Sequence, residues 1–104
     1  MILVLLALVG CLAQPAAAVL RLSIPAAEAK SLRFAKSTCA RDDHCIRSGV
    51  ANCRRDGLHV VFCRIFDERH TRVQGRYRCH RLIRLSLDPV TRRVPVTGVG
   101  SWHC

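Results

Sequence analysis

Six cysteines, Cys39, Cys45, Cys53, Cys63, Cys79 and Cys104, fall within the last two thirds of this 104-residue chain. A segment of that length buries too little apolar surface for its core alone to hold it, and an even set of half-cystines reads as three disulfides. Disulfides persist in oxidising compartments and are reduced in a cytosol, so the same residues predict an exported protein. A seventh cysteine, Cys11, has different surroundings: it interrupts, with Gly10, an aliphatic run from Met1 to Ala13.

That run precedes Gln14, Pro15 and the small residues Ala16, Ala17 and Ala18. It is short for a lasting membrane span, and small residues at its end suit a signal peptidase. The expected organisation is therefore a signal peptide over 1–18 and a single small, basic, disulfide-rich domain over 19–104, although no Lys or Arg precedes the apolar run. Leu8-Val9-Gly10-Cys11 also resembles a bacterial lipobox, in which the cysteine is acylated. The expected location is then secreted or extracytoplasmic, with anchorage through a lipid on Cys11 as the alternative.

Hydrophobic periodicity divides the domain into a helix followed by strands. Ser23 and Pro25 form a helix start, because proline is tolerated in a first turn where its missing N–H is not needed. Ala26–Lys36 continues with helix formers. From Cys45 the period becomes two. Arg76–Leu87 places Tyr77, Cys79, Ile83, Leu85 and Leu87 on one face, with Arg81 as a polar exception, and Arg76, Arg78, His80 and Arg84 on the other. Val94–Cys104 places Val94, Val96, Trp102 and Cys104 together. In Leu58–Asp67 both faces are apolar, Val61, Cys63 and Ile65 on one and Leu58, Val60, Phe62 and Phe66 on the other, which predicts a strand covered on both sides. Turns are expected at Ser48-Gly49, at the hairpin pair Asp56-Gly57 and at Asp88-Pro89, with a polar loop over Glu68–Gly75. The predicted fold is α+β: an N-terminal helix packed on an antiparallel meander of about four strands.

These turns suggest a disulfide map. A tight turn within Arg47–Val50 would bring Cys45 opposite Cys53, and the Glu68–Gly75 loop would bring Cys63 opposite Cys79, leaving Cys39 for Cys104. Other connectivities remain open.

All 17 basic and 7 acidic residues lie beyond Ala18, so the domain carries the whole formal charge of +10. Such a field concentrates anions at the surface. Arginine outnumbers lysine 15 to 2, a bias that a GC-rich genome also produces on merely solvated positions. The candidate anion-binding residues are Arg76, Arg78, His80 and Arg84 on one strand face, joined by Arg69 and Arg72 from the preceding loop and Arg92 and Arg93 from the following turn. The aromatic residues Tyr77 and Trp102 fall on the core face of this reading, so stacking platforms for specific nucleic-acid binding are not evident.

Catalytic and metal chemistry find less support. His44, His80 and His103 neighbour cysteines, but adjacent strand residues point to opposite faces, and close-spaced cysteine pairs of the zinc-binding kind are missing. No Gly-x-Ser-x-Gly elbow occurs, and Asp42-Asp43 and Asp67-Glu68 are adjacent only in sequence. No enzyme activity, catalytic residue, metal or cofactor is therefore expected.

Cys39-Ala-Arg-Asp-Asp-His-Cys45 resembles the opening of colipase-like and whey-acidic-protein-like modules, whose vicinal cysteine pair this chain lacks. Ser23-Ile24-Pro25, the segment Cys45-Ile46-Arg47-Ser48-Gly49-Val50-Ala51-Asn52-Cys53 and the terminal Trp102-His103-Cys104 loosely resemble small exported, arginine-rich bacterial proteins of unknown function. That resemblance implies a helix-on-sheet, cystatin-like shape without cystatin's inhibitory activity. The leading expectation is a non-enzymatic protein that binds an anionic partner, an envelope polymer or a membrane surface. The alternatives are a proteinase inhibitor or antagonist presenting Glu68–Gly75 to a protein partner, and a cationic antimicrobial protein.

Overall fold

In the computed structural model, which describes residues 20–104, Ser23 caps helix α1 (Ile24–Ala40). Its hydroxyl accepts the Ala26 N–H at 3.2 Å, and Pro25 sits in the first turn as expected. The helix outruns the expected Ala26–Lys36 and carries Cys39 into its last turn. Its buried stripe is Ala27, Ser31 and Ala35, one small residue per turn, which lets the helix axis lie close to the sheet. The proposed leader, including Cys11, lies outside the described residues.

Four strands follow: β1 (Cys45–Arg55), β2 (Val60–Thr71), β3 (Gly75–Ser86) and β4 (Val96–His103). They form one antiparallel sheet in the order β1-β2-β3-β4, the meander that the alternating pattern predicts. Helix α1 lies on one face, over β1 and β2. Between the layers are Leu22, Val61, Cys63, Ile65, Ile83 and Leu85, all buried. Three disulfides staple this small α+β domain.

Four sequence expectations require correction. Ser48-Gly49 is not a turn: β1 runs through it, with register irregularities between Cys45 and Arg47 and between Val50 and Asn52. Gly49 serves a close approach instead, since a Cβ there would stand 2.7 Å from Cζ of Phe66. Glu68–Gly75 is not an eight-residue loop: β2 continues to Thr71, and only Arg72, Val73 and Gln74 connect it to β3. The Asp56-Gly57 hairpin lies where expected but spans Asp56–His59, with Gly57 at φ 97°. Finally, β2 is not covered on both sides. No second layer lies over Phe62 and Phe66 among the described residues, and both rings are only half-buried.

The disulfide map changes for the same reasons. The bonds are Cys39–Cys45, Cys53–Cys63 and Cys79–Cys104, none of which is an expected pair. Because β1 continues through Ser48-Gly49, Cys45 and Cys53 lie on one strand and cannot face each other. Cys53 instead opposes Cys63 across the first hairpin. Cys63 opposes Ile83, and Cys79 opposes Asp67, so the full-length β2–β3 register separates the other expected pair. Cys39–Cys45 ties the end of α1 to the start of β1, and Cys79–Cys104 ties the chain terminus beyond β4 to β3. Three such bonds fit an oxidising, extracytoplasmic environment.

Candidate functional site

Cross-strand partners in an antiparallel sheet share a face, so the register alone fixes what the uncovered surface presents. One row across it is Arg54, Phe62, Arg84 and Thr97; the next is Asn52, Arg64, Leu82 and Val99. A third holds Gly49, Phe66, His80 and His103, a fourth Arg47, Glu68 and Arg78, and the last His70 and Arg76. The face thus gathers six arginines, three histidines and a single carboxylate. A shallow concavity in its middle is bordered by Arg64, His80, Leu82, Val99 and His103.

Glu68 organises one end. Its carboxylate receives the Arg78 guanidinium at 2.7 Å and Arg47 Nε at 3.0 Å. The hydrogen bond from Arg78 holds the carboxyl below its ordinary pKa, the charge of Arg47 adds to this, and desolvation only partly opposes it. The same two guanidiniums lie over Phe66, Arg78 at 4.2 Å and Arg47 at 5.9 Å from the ring centroid. Gly49 and Arg78 both pack against this half-buried ring. The ion pairs to Glu68 hold both guanidiniums beside the ring, Arg78 well within cation–π range and Arg47 near its limit.

The remaining arginines of the face, Arg54, Arg64, Arg76 and Arg84, form no ion pair among the described residues. All four are exposed. Their donors are available to an external acceptor, and guanidinium geometry suits phosphate, sulfate and carboxylate bidentately.

Arg76, Arg78, His80 and Arg84 occupy the expected strand face. Arg72 stands at the β2–β3 hairpin, beyond the last strand pair. Arg92, which has a φ of 62°, and Arg93 belong to the β3–β4 connection and border a cleft with Lys30 of the helix, so they lie towards the helix side. That connection is organised by Asp88, whose carboxylate accepts the Val90 N–H at 2.8 Å and the Thr91 N–H at 3.2 Å. These bonds, that from Val90 foremost, lower its pKa.

Arg69 belongs elsewhere. Extending β2 to Thr71 turns it to the helix side, where Nε and Nη2 donate to the two oxygens of buried Asp67 at 3.2 and 3.0 Å. Nη1 reaches Asp42 at 2.9 Å, and the guanidinium lies 5.7 Å from the Trp102 ring centroid. The hydrogen bond to Asp67 raises the pKa of Arg69 further, against partial desolvation. This is a structural knot. It also resolves the two adjacent carboxylates: Asp67 faces the core, while Glu68 faces the open sheet.

Arg47, Arg54, Arg64 and His70 also belong to the face, although sequence periodicity did not assign them to it; Phe62 and Phe66, which periodicity sets opposite Val61, Cys63 and Ile65, and His103, which alternates with Trp102, lie there too. Their common signal is the even-numbered phase of β2 together with its cross-strand partners. Comparison with protein-family models, curated proteins and solved structures finds no match for this chain.

Proposed function

We propose that the mature chain is an exported, non-enzymatic binding protein whose open sheet face associates electrostatically with an anionic polymer or surface. The observation that carries this reading is six arginines against one carboxylate on a face that no described element covers. The formal charge of +10 supplies long-range attraction, and Arg54, Arg64, Arg76 and Arg84, which form no ion pair among the described residues, supply the contacts. Release from the leader after Ala18 gives a freely diffusing form; acylation of Cys11 would place the same face near a membrane.

The test is binding of the oxidised protein, residues 19–104, to a sulfated polysaccharide and to a labelled single-stranded oligonucleotide over a range of salt concentrations. Binding to the oligonucleotide should weaken with a log–log slope of about −0.7 per phosphate neutralised. Replacing Arg54 and Arg84 by glutamine should flatten that slope by about 1.4, whereas replacing Arg92 and Arg93 should change it less. Affinity that does not change with salt rejects the proposal, as does a slope indifferent to Arg54 and Arg84.

A further inference from the structure

Building on that reading, we infer that the open face takes single-stranded nucleic acid, with a base stacked on Phe62. The failure of this inference is separable from failure of the electrostatic reading on which it rests.

Phe62 lies on β2, an inner strand of the sheet, and in register it has Arg54 on one side and Arg84 on the other. Neighbouring strands are about 4.8 Å apart, so both cations flank the ring within reach of a single nucleotide's phosphates. Among the described residues the arginine–ring contacts fall on Phe66 and Trp102, which leaves Phe62 without a guanidinium over it. The row Arg54, Phe62, Arg84 and Thr97 also contains no carboxylate. Phe66 shows the contrasting arrangement, in which Glu68 fixes two arginines and one of them caps the ring. Along β2, Arg64 follows Phe62 on the same face, and the sequence of ring and cation continues the track.

The half-buried Phe62 leaves part of its ring in water between two arginines that form no ion pair among the described residues. A base offers it a π-face, while the attached phosphates meet the guanidiniums. A sulfated polysaccharide satisfies the cations but has no π-face for the ring. A membrane would favour an apolar side chain that projects, and Phe62 is half-buried between its neighbours. Among the described residues the most exposed aliphatic side chains, Val73 and Val90, instead occupy the two connections at either end of β3.

The deciding experiment uses the oxidised domain and three probes: a labelled oligothymidylate, a sulfated polysaccharide, and vesicles containing an anionic phospholipid. Phe62→Leu retains an apolar side chain but removes the aromatic face, and Phe62→Trp enlarges that face. Circular dichroism and thermal melting establish that both variants fold. Base–aromatic stacking is strong enough that Phe62→Leu should weaken oligothymidylate binding by about 5- to 150-fold, with Phe62→Trp restoring it. Polysaccharide binding should change by less than about twofold, because charge is unaltered. Equal oligothymidylate affinity for wild type and Phe62→Leu overturns the inference, as does an equal loss for the polysaccharide. Loss confined to vesicles assigns the ring to a membrane and overturns it too. If wild type binds none of the probes, the electrostatic reading falls with it.

Discussion

Replacing Arg69 by methionine separates the cations that hold this fold together from those that face outward. The wild-type guanidinium satisfies both oxygens of Asp67, a residue only 2% exposed, while a third arm holds Asp42. Arg69→Met preserves much of the apolar stem but leaves the Asp67 carboxylate without its cation. Breaking a buried pair from one side costs about 3–5 kcal/mol. The Arg69 side chain is 21% exposed, so water can reach part of the site, and the lower end, about 3 kcal/mol, is expected. Urea unfolding with the disulfides intact should show the midpoint falling by about 1–3 M for a slope of 1–3 kcal/mol/M. The double variant Asp67→Leu/Arg69→Met removes both charges and should recover at least about 1.5 kcal/mol relative to the sum of the single losses. At urea-free conditions where the protein remains folded, Arg69→Met should bind polyanions nearly as wild type does, because its guanidinium lies on the helix side. A single-variant cost below about 1 kcal/mol, or strict additivity in the cycle, would refute the buried-pair argument.

Gly49→Ala should destabilise by about 1–3 kcal/mol in thermal or urea unfolding, because its new Cβ meets the Phe66 ring at 2.7 Å and the ring is pinned by Arg78. Glu68 should titrate by NMR below an ordinary glutamate, and since its folded pKa is depressed, its stabilising contribution is present above the unfolded pKa and lost as pH falls through the folded value. Glu68→Gln should accordingly lose that pH dependence and bind polyanions more tightly at low salt, as the face loses its one negative charge. Peptide mapping without reduction should recover the three observed pairs, and removing Cys79–Cys104, with a sequence separation of 25, should cost about 1 kcal/mol more than removing Cys39–Cys45, with a separation of 6. Equal losses in that comparison would mean that native packing, rather than loop closure, dominates the bonds.

The alternating residues of β3 make its two faces legible in the sequence, because Cys79, Ile83 and Leu85 require burial and Arg76, Arg78 and Arg84 require water. The capping chemistry at Ser23 and Pro25 similarly locates the helix start. Gly49 is less transparent: a glycine after serine carries the same local signal whether it bends the chain or makes room for a ring, and only the tertiary position of Phe66 distinguishes the two. That ambiguity propagates into the cysteine pairing, since a turn at residue 49 and a strand through it give Cys53 different partners. At the other hairpin, a run of polar residues conceals a strand because cross-strand pairing of charged side chains, Glu68 with Arg47 and Arg78, replaces the apolar pattern by which a strand end is usually recognised.

The candidate face is half-legible for a related reason. Burial is a property of the assembled layers, and hydrophobic periodicity reports only that a strand has an apolar phase. In β2 both phases are apolar, yet the described chain supplies one helix, enough to cover one side of the sheet. Counting layers as well as periodicity identifies Phe62 and Phe66 as surface aromatics and makes their arginine neighbours part of one array. It also explains why Arg69 leaves that array: a strand that runs past Asp67 brings Arg69, two residues on, back to the same face as the buried carboxylate. The charge of the chain therefore has two physical roles, with Arg69 neutralising an interior acid and Arg54, Arg64, Arg76 and Arg84 presenting uncompensated donors outside. Variants at Arg69 should move stability, whereas variants at the latter four should move salt-dependent binding.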